Sequence, residues 1–200
     1  MSDTSLVWFR RDLRLFDHAA LHKALKNSQR VIAVFIFDST ILQTLPRQDR
    51  RLAFIWHSLQ QLKNSLREHG SDLLVRHGDP CYEIPCLAQQ YRVGSVYANH
   101  DYEPEAISRD ANVAQQLAAQ GIRFHSYKDQ VIFERDEILT QTQSMYSVFT
   151  PYKRAWLAKV DDFYLRSYPV LPYLDKLARL TEPELPSLSK LGFEDSNIDL

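Results

Sequence analysis

The chain has 200 residues, of which 44% are hydrophobic, and its formal net charge is −1. This length suits one domain, or one domain with an extension, and the apolar content is enough to bury a core. The near-zero net charge excludes a global electrostatic attraction to nucleic acid or to a membrane surface. The sequence has no long uncharged apolar run and no signal-type segment, so we expect a cytoplasmic protein without membrane contact.

Short apolar segments rich in Val, Ile and Phe alternate with helical patterns over residues 1–128. The five predicted strands cover residues 5–9, 31–37, 73–76, 95–99 and 123–127. Such segments are typical of parallel strands that are covered on both faces. The alternation therefore predicts an α/β domain with a doubly wound, Rossmann-like, five-stranded parallel sheet in the order 3-2-1-4-5.

Apolar residues at helical spacing predict the helices between these strands. Asp17 suits the N-cap of the first helix, and Gly70 is placed to end the longest one. Asp79 and Pro80 form the start of another helix, in which Pro85 is expected to cause a kink or a restart.

The regular alternation stops after residue 128, and we expect residues 129–200 to form an irregular connector. Thr150 and Pro151 predict the start of one helix that ends near residue 165. Four prolines follow at short intervals, namely Pro169, Pro172, Pro183 and Pro186. This spacing favours an extended segment that lies on a surface and does not build a core.

Polar and aromatic side chains lie where three of the predicted strands end. The carboxyl ends of parallel strands form the edge at which such sheets bind ligands. The candidate binding residues are Arg10, Arg11, Asp12, Phe35, Phe37, Asp38, Arg51, Asp101 and Glu103. Aromatic walls with donors and acceptors at the rim would suit a planar polar ring. The residues alone equally allow the two phenylalanines to be core and the charges to pair with one another in solvent.

Other kinds of site have little support in the sequence. The loop after the first strand has no glycine, so it cannot bind a pyrophosphate as glycine-rich loops do. Cys81 and Cys86 are expected to be small buried hydrophobic residues. His18 and His22 are four residues apart but lack a third ligand, so no metal site is predicted. No local signature of Ser-His-Asp catalysis is present.

Motifs along nearly the whole chain resemble the amino-terminal half of the photolyase/cryptochrome family. They are Trp8-Phe9-Arg10-Arg11-Asp12-Leu13-Arg14, His77-Gly78-Asp79-Pro80, Tyr102-Glu103-Pro104 with Arg109-Asp110, Tyr146-Ser147-Val148-Phe149-Thr150-Pro151-Tyr152-Lys153 with Trp156, and Leu185-Pro186-Ser187-Leu188. The resemblance implies an α/β domain that binds a light-harvesting antenna chromophore. It also implies a second, helical domain, missing here, that binds FAD and UV-damaged DNA.

The resemblance also bears on the identity of the antenna chromophore. Folate-binding members have an Asn-Glu pair where this chain has Glu105 and Ala106. Deazaflavin-binding members share the patterns around Asp101 and Arg51. The resemblance therefore implies 8-hydroxy-5-deazaflavin or FMN, in preference to methenyltetrahydrofolate, at the nine candidate residues.

Three functions remain open from the sequence. The first is the antenna half of a deoxyribodipyrimidine photolyase, a lyase that repairs cyclobutane pyrimidine dimers by light-driven electron transfer from FAD. The second is the same half of a cryptochrome, and the third is a stand-alone nucleotide-binding or electron-carrier domain. We expect no catalytic residue and no DNA repair in this chain alone. Residues 146–156 are expected to face the missing domain and to favour self-association when exposed.

Overall fold

The computed structural model describes residues 3–196, and its centre is a five-stranded sheet in which all neighbouring strands are parallel. The strands are β1 Thr4–Phe9, β2 Arg30–Asp38, β3 Leu73–Gly78, β4 Ser95–Asn99 and β5 Arg123–Tyr127. Their spatial order is β3-β2-β1-β4-β5. The predicted fold class and strand order are therefore confirmed, whereas the predicted domain boundary at residue 128 stays a prediction.

Helices cover both faces of this sheet. They are α1 Ala19–Asn27, α2 Ser39–Leu42, α3 Arg50–Glu68, α4 Pro80–Gln90, α5 Pro104–Ala119 and α6 Phe149–Lys159, with 3-10 turns at Arg135–Glu137, Leu171–Lys176 and Leu188–Leu191. Side chains alternate along β1, so Val7 and Phe9 pack with α1 and α3, and Leu6 and Trp8 pack with α4 and α5. We call these the α1–α3 face and the α4–α5 face. No helix in the described range is long and apolar enough to cross a membrane.

Several helix ends follow the sequence signals, and others differ from them. Gly70 adopts the left-handed conformation, with φ of 72°, just after α3, and Asp79 caps α4 through the backbone N–H of Cys81. The restart predicted at Pro85 is wrong, since one helix runs through it. Asp17 is not the cap of α1: the ring of His18 accepts the backbone N–H of Leu21 instead, as an imidazole nitrogen can.

The helix predicted after Thr150 is shifted and shorter than expected. It begins at Phe149 and ends at Lys159, and Val160 is extended. Asp161 then accepts the backbone N–H of Phe163 in a separate turn, which explains why the helix does not reach residue 165. Exposed apolar side chains lie on this helix, such as Phe149 and Leu157, and directly before it, such as Met145 and Val148. The predicted contact with a missing domain and the self-association stay predictions.

The connector contributes to the core, and the expectation that it would not is wrong. Its buried side chains join the hydrophobic cluster on the α1–α3 face: Val170, Leu174, Leu177, Leu185, Leu191 and Phe193. The backbone N–H of Ala178 donates to the carbonyl of Val31 at 2.7 Å, where β2 extends beyond β3. The prolines keep the segment extended, and its apolar side chains reach inward between them.

A buried ion pair anchors the connector to α3 and β3. Lys63 is fully buried and pairs with Asp72, whose second oxygen accepts from Arg67 at 3.2 Å and from the backbone N–H of Glu182 at 3.0 Å. Burial alone would raise the pKa of Asp72, but these hydrogen bonds, led by the one from Lys63, lower it overall. A buried ion pair is stable only when its remaining hydrogen-bonding capacity is satisfied, and here the connector supplies one of the donors.

Asp72→Ala should therefore destabilise the fold by about 3–5 kcal/mol, because it leaves the Lys63 ammonium buried without a counter-charge. Urea unfolding at neutral pH measures this change. Asp162→Ala is the matched control, since Asp162 is exposed. Trypsin should also cleave after Arg179 faster in the Asp72 variant, because the connector is less firmly held. Equal stability of the two variants would contradict this role of the ion pair.

Candidate functional site

The side chain of Asn99 joins β4, β1 and α1 at the carboxyl edge of the sheet. It is 1% exposed, and its Nδ2 donates to Asp12 Oδ2 at 2.6 Å. Its Oδ1 accepts the backbone N–H of Ala20 at 2.9 Å, and its backbone carbonyl accepts from the guanidinium of Arg10. One buried amide thus fixes the positions of three elements at the edge where ligands bind in this class of sheet.

Asp12 is a buried anion whose two oxygens are both engaged. Oδ1 accepts the backbone N–H of Arg10 at 2.8 Å, and Oδ2 lies 2.9 Å from His18 Nε2. Because Nδ1 of His18 accepts from Leu21, the ring proton lies on Nε2 and points at Asp12. Burial alone would raise the pKa of Asp12, but the interaction with His18 and the backbone hydrogen bonds hold it well below its usual range.

Arg10 and Asp38 lie on the α4–α5 face. Arg10 pairs with Asp110 of α5 at 2.6 Å and lies over the ring of Trp8, 4.8 Å from its centroid. Asp38 caps α2 through the backbone N–H of Thr40. Both side chains are buried or nearly so, and their contacts are internal.

Arg11, Asp101 and Glu103 form a polar rim at the ends of β1 and β4, in which Arg11 and Glu103 are exposed and the Asp101 side chain is only 7% exposed. The Arg11 side chain is 53% exposed, and its guanidinium lies 2.7 Å from Glu103 Oε1 and 3.5 Å from Asp101 Oδ2. The hydrogen bond to Glu103, and then the charge of Asp101, raise the pKa of Arg11. An exposed ion pair such as that between Arg11 and Glu103 contributes only about 0–1 kcal/mol, so these two side chains can exchange their mutual contact for contacts with a ligand at little cost.

Phe35 and Phe37 lie on the α1–α3 face and belong to its core. Their rings meet edge to face at 5.0 Å between centroids, and Phe37 is 2% exposed. The ring of Phe37 is therefore not exposed to form the side of a ligand-binding pocket in this structure. Arg51 is 73% exposed and pairs with Asp49, the N-cap of its own helix. Within residues 3–196, no hydrogen bond or ion pair that the structure shows joins Arg51 to the rim.

The nine candidate residues thus fall into those that could contact a ligand directly and those that make only internal contacts. The rim supplies one cationic donor and two carboxylates, which fits the carbonyls, N–H groups and hydroxyls at the edge of a flavin-like ring. Arg10, Asp12 and Asp38 support that edge from inside. The structure brings Arg11, Asp101 and Glu103 together, keeps Arg51 apart from them and packs the two phenylalanines in the core, and ligand binding at these residues stays a prediction.

Sequence reasoning missed two features of this edge. Asn99 was visible only as the last residue of a strand, and no local pattern marks its partners. A cavity of about 240 Å³ also opens on the α4–α5 face, beside β5. Its lining includes His100, Phe124 and Ser126. His100 directly follows β4, and Phe124 and Ser126 lie on β5, so the parallel pairing of these two strands brings them together.

The DNA photolyase family model matches residues 5–173 of the chain. The chain belongs to the DNA photolyase family. A deoxyribodipyrimidine photo-lyase from Synechococcus sp. is 37% identical over 97% of this chain, which spans 41% of that relative's length. The chain is thus similar to the amino-terminal part of such relatives, as the sequence motifs predicted.

Two solved structures share the fold of this chain. A cryptochrome from Synechocystis sp. superposes with a TM-score of 0.80 at 28% identity, over 98% of this chain and 41% of that one. A photolyase from Sulfolobus tokodaii superposes with a TM-score of 0.65 at 32% identity, over 79% of this chain and 35% of that one. The latter is described as containing two FAD molecules, with the implication of a novel light-harvesting cofactor.

The buried Asp12 carboxylate predicts a specific dependence of stability on pH. Its pKa is lower in the folded than in the unfolded state, so it stabilises the fold above its unfolded pKa of about 3.9 and loses this effect as the pH falls through the folded pKa. Between the two values the unfolded chain holds one more proton at this site. As the pH is lowered through this range, protonation of Asp12 should reduce the free energy of unfolding by about 1.4 kcal/mol per pH unit.

In Asp12→Asn this contribution to the slope should be missing below about pH 4, and the variant should be less stable than the wild type at pH 7. Urea unfolding at a series of pH values measures both effects. Asp162→Asn, at an exposed position, should keep the wild-type slope. An unchanged slope in Asp12→Asn would show that Asp12 is not held as a stabilised anion.

Proposed function

We propose that this chain is the part of a deoxyribodipyrimidine photolyase that binds the light-harvesting antenna chromophore. The observation that carries the proposal is the polar rim of Arg11, Asp101 and Glu103, two of whose three side chains are exposed, at the carboxyl edge of the sheet in a member of this family. The whole protein would bind FAD and UV-damaged DNA through a domain beyond this chain. It would then split pyrimidine dimers by light-driven electron transfer.

The chemistry of the rim is consistent with a chromophore and not with a reacting substrate. A bound chromophore absorbs light and passes excitation energy to FAD, which requires distance and orientation only. The rim residues need to bind and orient a polar ring edge: Arg11 donates to a carbonyl, and the carboxylates of Asp101 and Glu103 accept from N–H and hydroxyl groups. No general acid, base or nucleophile is needed at this position.

A deazaflavin or FMN fits this rim better than a methenyl folate does. The positions at which folate-binding members carry an Asn-Glu pair are Glu105 and Ala106 here. Ala106 is 6% exposed and has no polar side-chain atom, so it can offer a ligand no hydrogen bond. We retain Arg51 in the proposed site, because its side chain is 73% exposed at the start of α3 and keeps guanidinium N–H groups that can donate to a ligand.

A cryptochrome photoreceptor is the second candidate. The TM-score of 0.80 with the Synechocystis cryptochrome supports it, and a cryptochrome would use the same antenna-binding half. The two candidates differ in the activity of the whole protein. Light-dependent repair of a thymine-dimer oligonucleotide by the full-length protein would show that it is a photolyase and not a cryptochrome photoreceptor.

The first test of the proposal is the titration of the chain with 8-hydroxy-5-deazariboflavin, FMN and a methenyl folate, followed by absorbance and fluorescence. We expect the deazaflavin or FMN to bind and the folate not to bind. Arg11→Ala should weaken binding by about tenfold or more, because it removes a charge-assisted hydrogen bond, and Asp101→Ala and Arg51→Ala should also weaken it. Arg154→Ala on α6 is the exposed control. Binding of the folate alone, or unchanged affinity in all three variants, would refute the proposal.

The second test is repair by the chain on its own. The purified 200-residue chain, illuminated with a thymine-dimer oligonucleotide and added FAD, should leave the dimer intact, because the proposed FAD-binding and lesion-binding domain lies beyond it. Chromatography of the oligonucleotide measures dimer loss. Light-dependent repair by this chain would overturn the assignment of catalysis to another domain.

A further inference from the structure

The strand order places His100 and Ser126 side by side on the α4–α5 face. β4 and β5 are parallel neighbours, with Ala98 opposite Ser126, and the backbone N–H of His100 donates to the carbonyl of Tyr127 at 2.7 Å. Ser126 and Phe124 are two apart on β5 and so point to the same face. Both line the cavity of about 240 Å³, together with His100.

These two side chains belong to a hydrogen-bonded row that ends on a carboxylate. His100 Nε2 lies 3.1 Å from Ser126 Oγ, and His100 Nδ1 lies 2.7 Å from Glu134 Oε2. The hydroxyl of Tyr102 donates to the same carboxylate oxygen at 2.8 Å. A nucleophile within reach of a base, with the base oriented by a third group, is the arrangement that activates a serine.

The carboxylate determines how the histidine can act. Burial alone would raise the pKa of Glu134, but the hydrogen bonds from His100 and Tyr102 lower it overall, so Glu134 is an anion at neutral pH. An anion beside Nδ1 holds the ring proton there. Nε2 is then left free to accept the proton of the Ser126 hydroxyl, which is the tautomer that a general base requires.

The cavity beside this row has room for a small organic group. Ile107, Ala111 and Ala114 of α5 form an apolar wall with Phe124, and the same space is lined by Arg135 and by the carboxylates of Asp101 and Asp110. The volume suits a short acyl chain. The guanidinium of Arg135 is a cationic donor for negative charge that develops on a carbonyl oxygen.

We propose that Ser126, His100 and Glu134 form a second, hydrolytic site that cleaves small uncharged acyl esters. This activity differs from chromophore binding, although the cavity shares Asp101 with the rim. Ser126 and His100 are the catalytic residues, and Glu134 is a positioning residue that orients His100. Sequence reasoning found no such site because its members lie directly after β4, on β5 and in the loop after β5.

The reaction balances without any cofactor. Ser126 Oγ attacks the ester carbonyl carbon while its proton moves to His100 Nε2. The tetrahedral intermediate then breaks its bond to the alkoxy group, which leaves as an alcohol with the proton from His100. Water attacks the resulting acyl-serine, gives its proton to His100, and releases the carboxylic acid as the serine regains its proton.

The experiment measures hydrolysis of p-nitrophenyl acetate and p-nitrophenyl butyrate by the chain at pH 7.5, with labelling by a fluorophosphonate probe. We expect saturable hydrolysis and a label on the peptide that contains Ser126, located by mass spectrometry. Ser126→Ala should abolish the label and lower kcat about 100-fold or more, and His100→Gln should do the same to kcat. Glu134→Gln should lower kcat with little change in KM.

Ser147→Ala is the matched control, since Ser147 is also exposed, and it should keep full activity and labelling. Ser126 is exposed on an edge strand, so its alanine variant should fold, which circular dichroism and retained deazaflavin binding will show. Non-saturable hydrolysis no faster than an equal concentration of imidazole would overturn the proposal. A label on another residue, or full activity in a folded Ser126→Ala, would overturn it as well.

Discussion

The carboxyl edge of this sheet depends on the buried amide of Asn99. Its side chain holds Asp12 at the end of β1 and the first turn of α1, and its carbonyl holds Arg10. The backbone ladder sets the register of β1 and β4, and the side chain of Asn99 adds contacts beyond the last paired residues. These contacts hold together the two chain segments that carry Arg11 and Asp101, whose side chains form the rim.

The same network separates the edge into two chemically different sides. Asp12 and His18 occupy the buried centre, where every hydrogen-bonding group has a partner and nothing is available to a ligand. On one side Arg11 and Glu103 of the rim are exposed and their ion pair exchanges easily, which suits reversible binding of a polar ring. On the other side, His100 and Ser126 are oriented by a partly buried carboxylate beside a cavity, which suits proton transfer.

The sequence predicted the sheet because its signals are local. Each strand is a short apolar run, and Gly70 and Asp79 mark helix ends with conformational and capping preferences that act within a few residues. The prediction for the connector was wrong because its contacts are not local: Leu177, for example, pairs with Val31, which is far away in sequence. The prolines interrupt any regular apolar pattern, so the sequence does not show which apolar side chains of the connector reach the core. The positions of Arg11, Asp101 and Glu103 just after predicted strands indicated that they would lie at the same edge of the sheet. Whether Phe35 and Phe37 face a ligand or the core depends on packing, which no residue pattern contains.

The central claim is that a flavin-like chromophore binds at the rim on the ends of β1 and β4. The most direct measurement is the structure of the chain with bound 8-hydroxy-5-deazariboflavin, solved by crystallography or mapped by backbone amide chemical shifts. We predict that the polar edge of the ring lies within hydrogen-bonding distance of Arg11 and Asp101, with the largest shifts at residues 10–12 and 101–103. A ring bound in the cavity beside Phe124, or on the exposed surface of α6, would contradict the account.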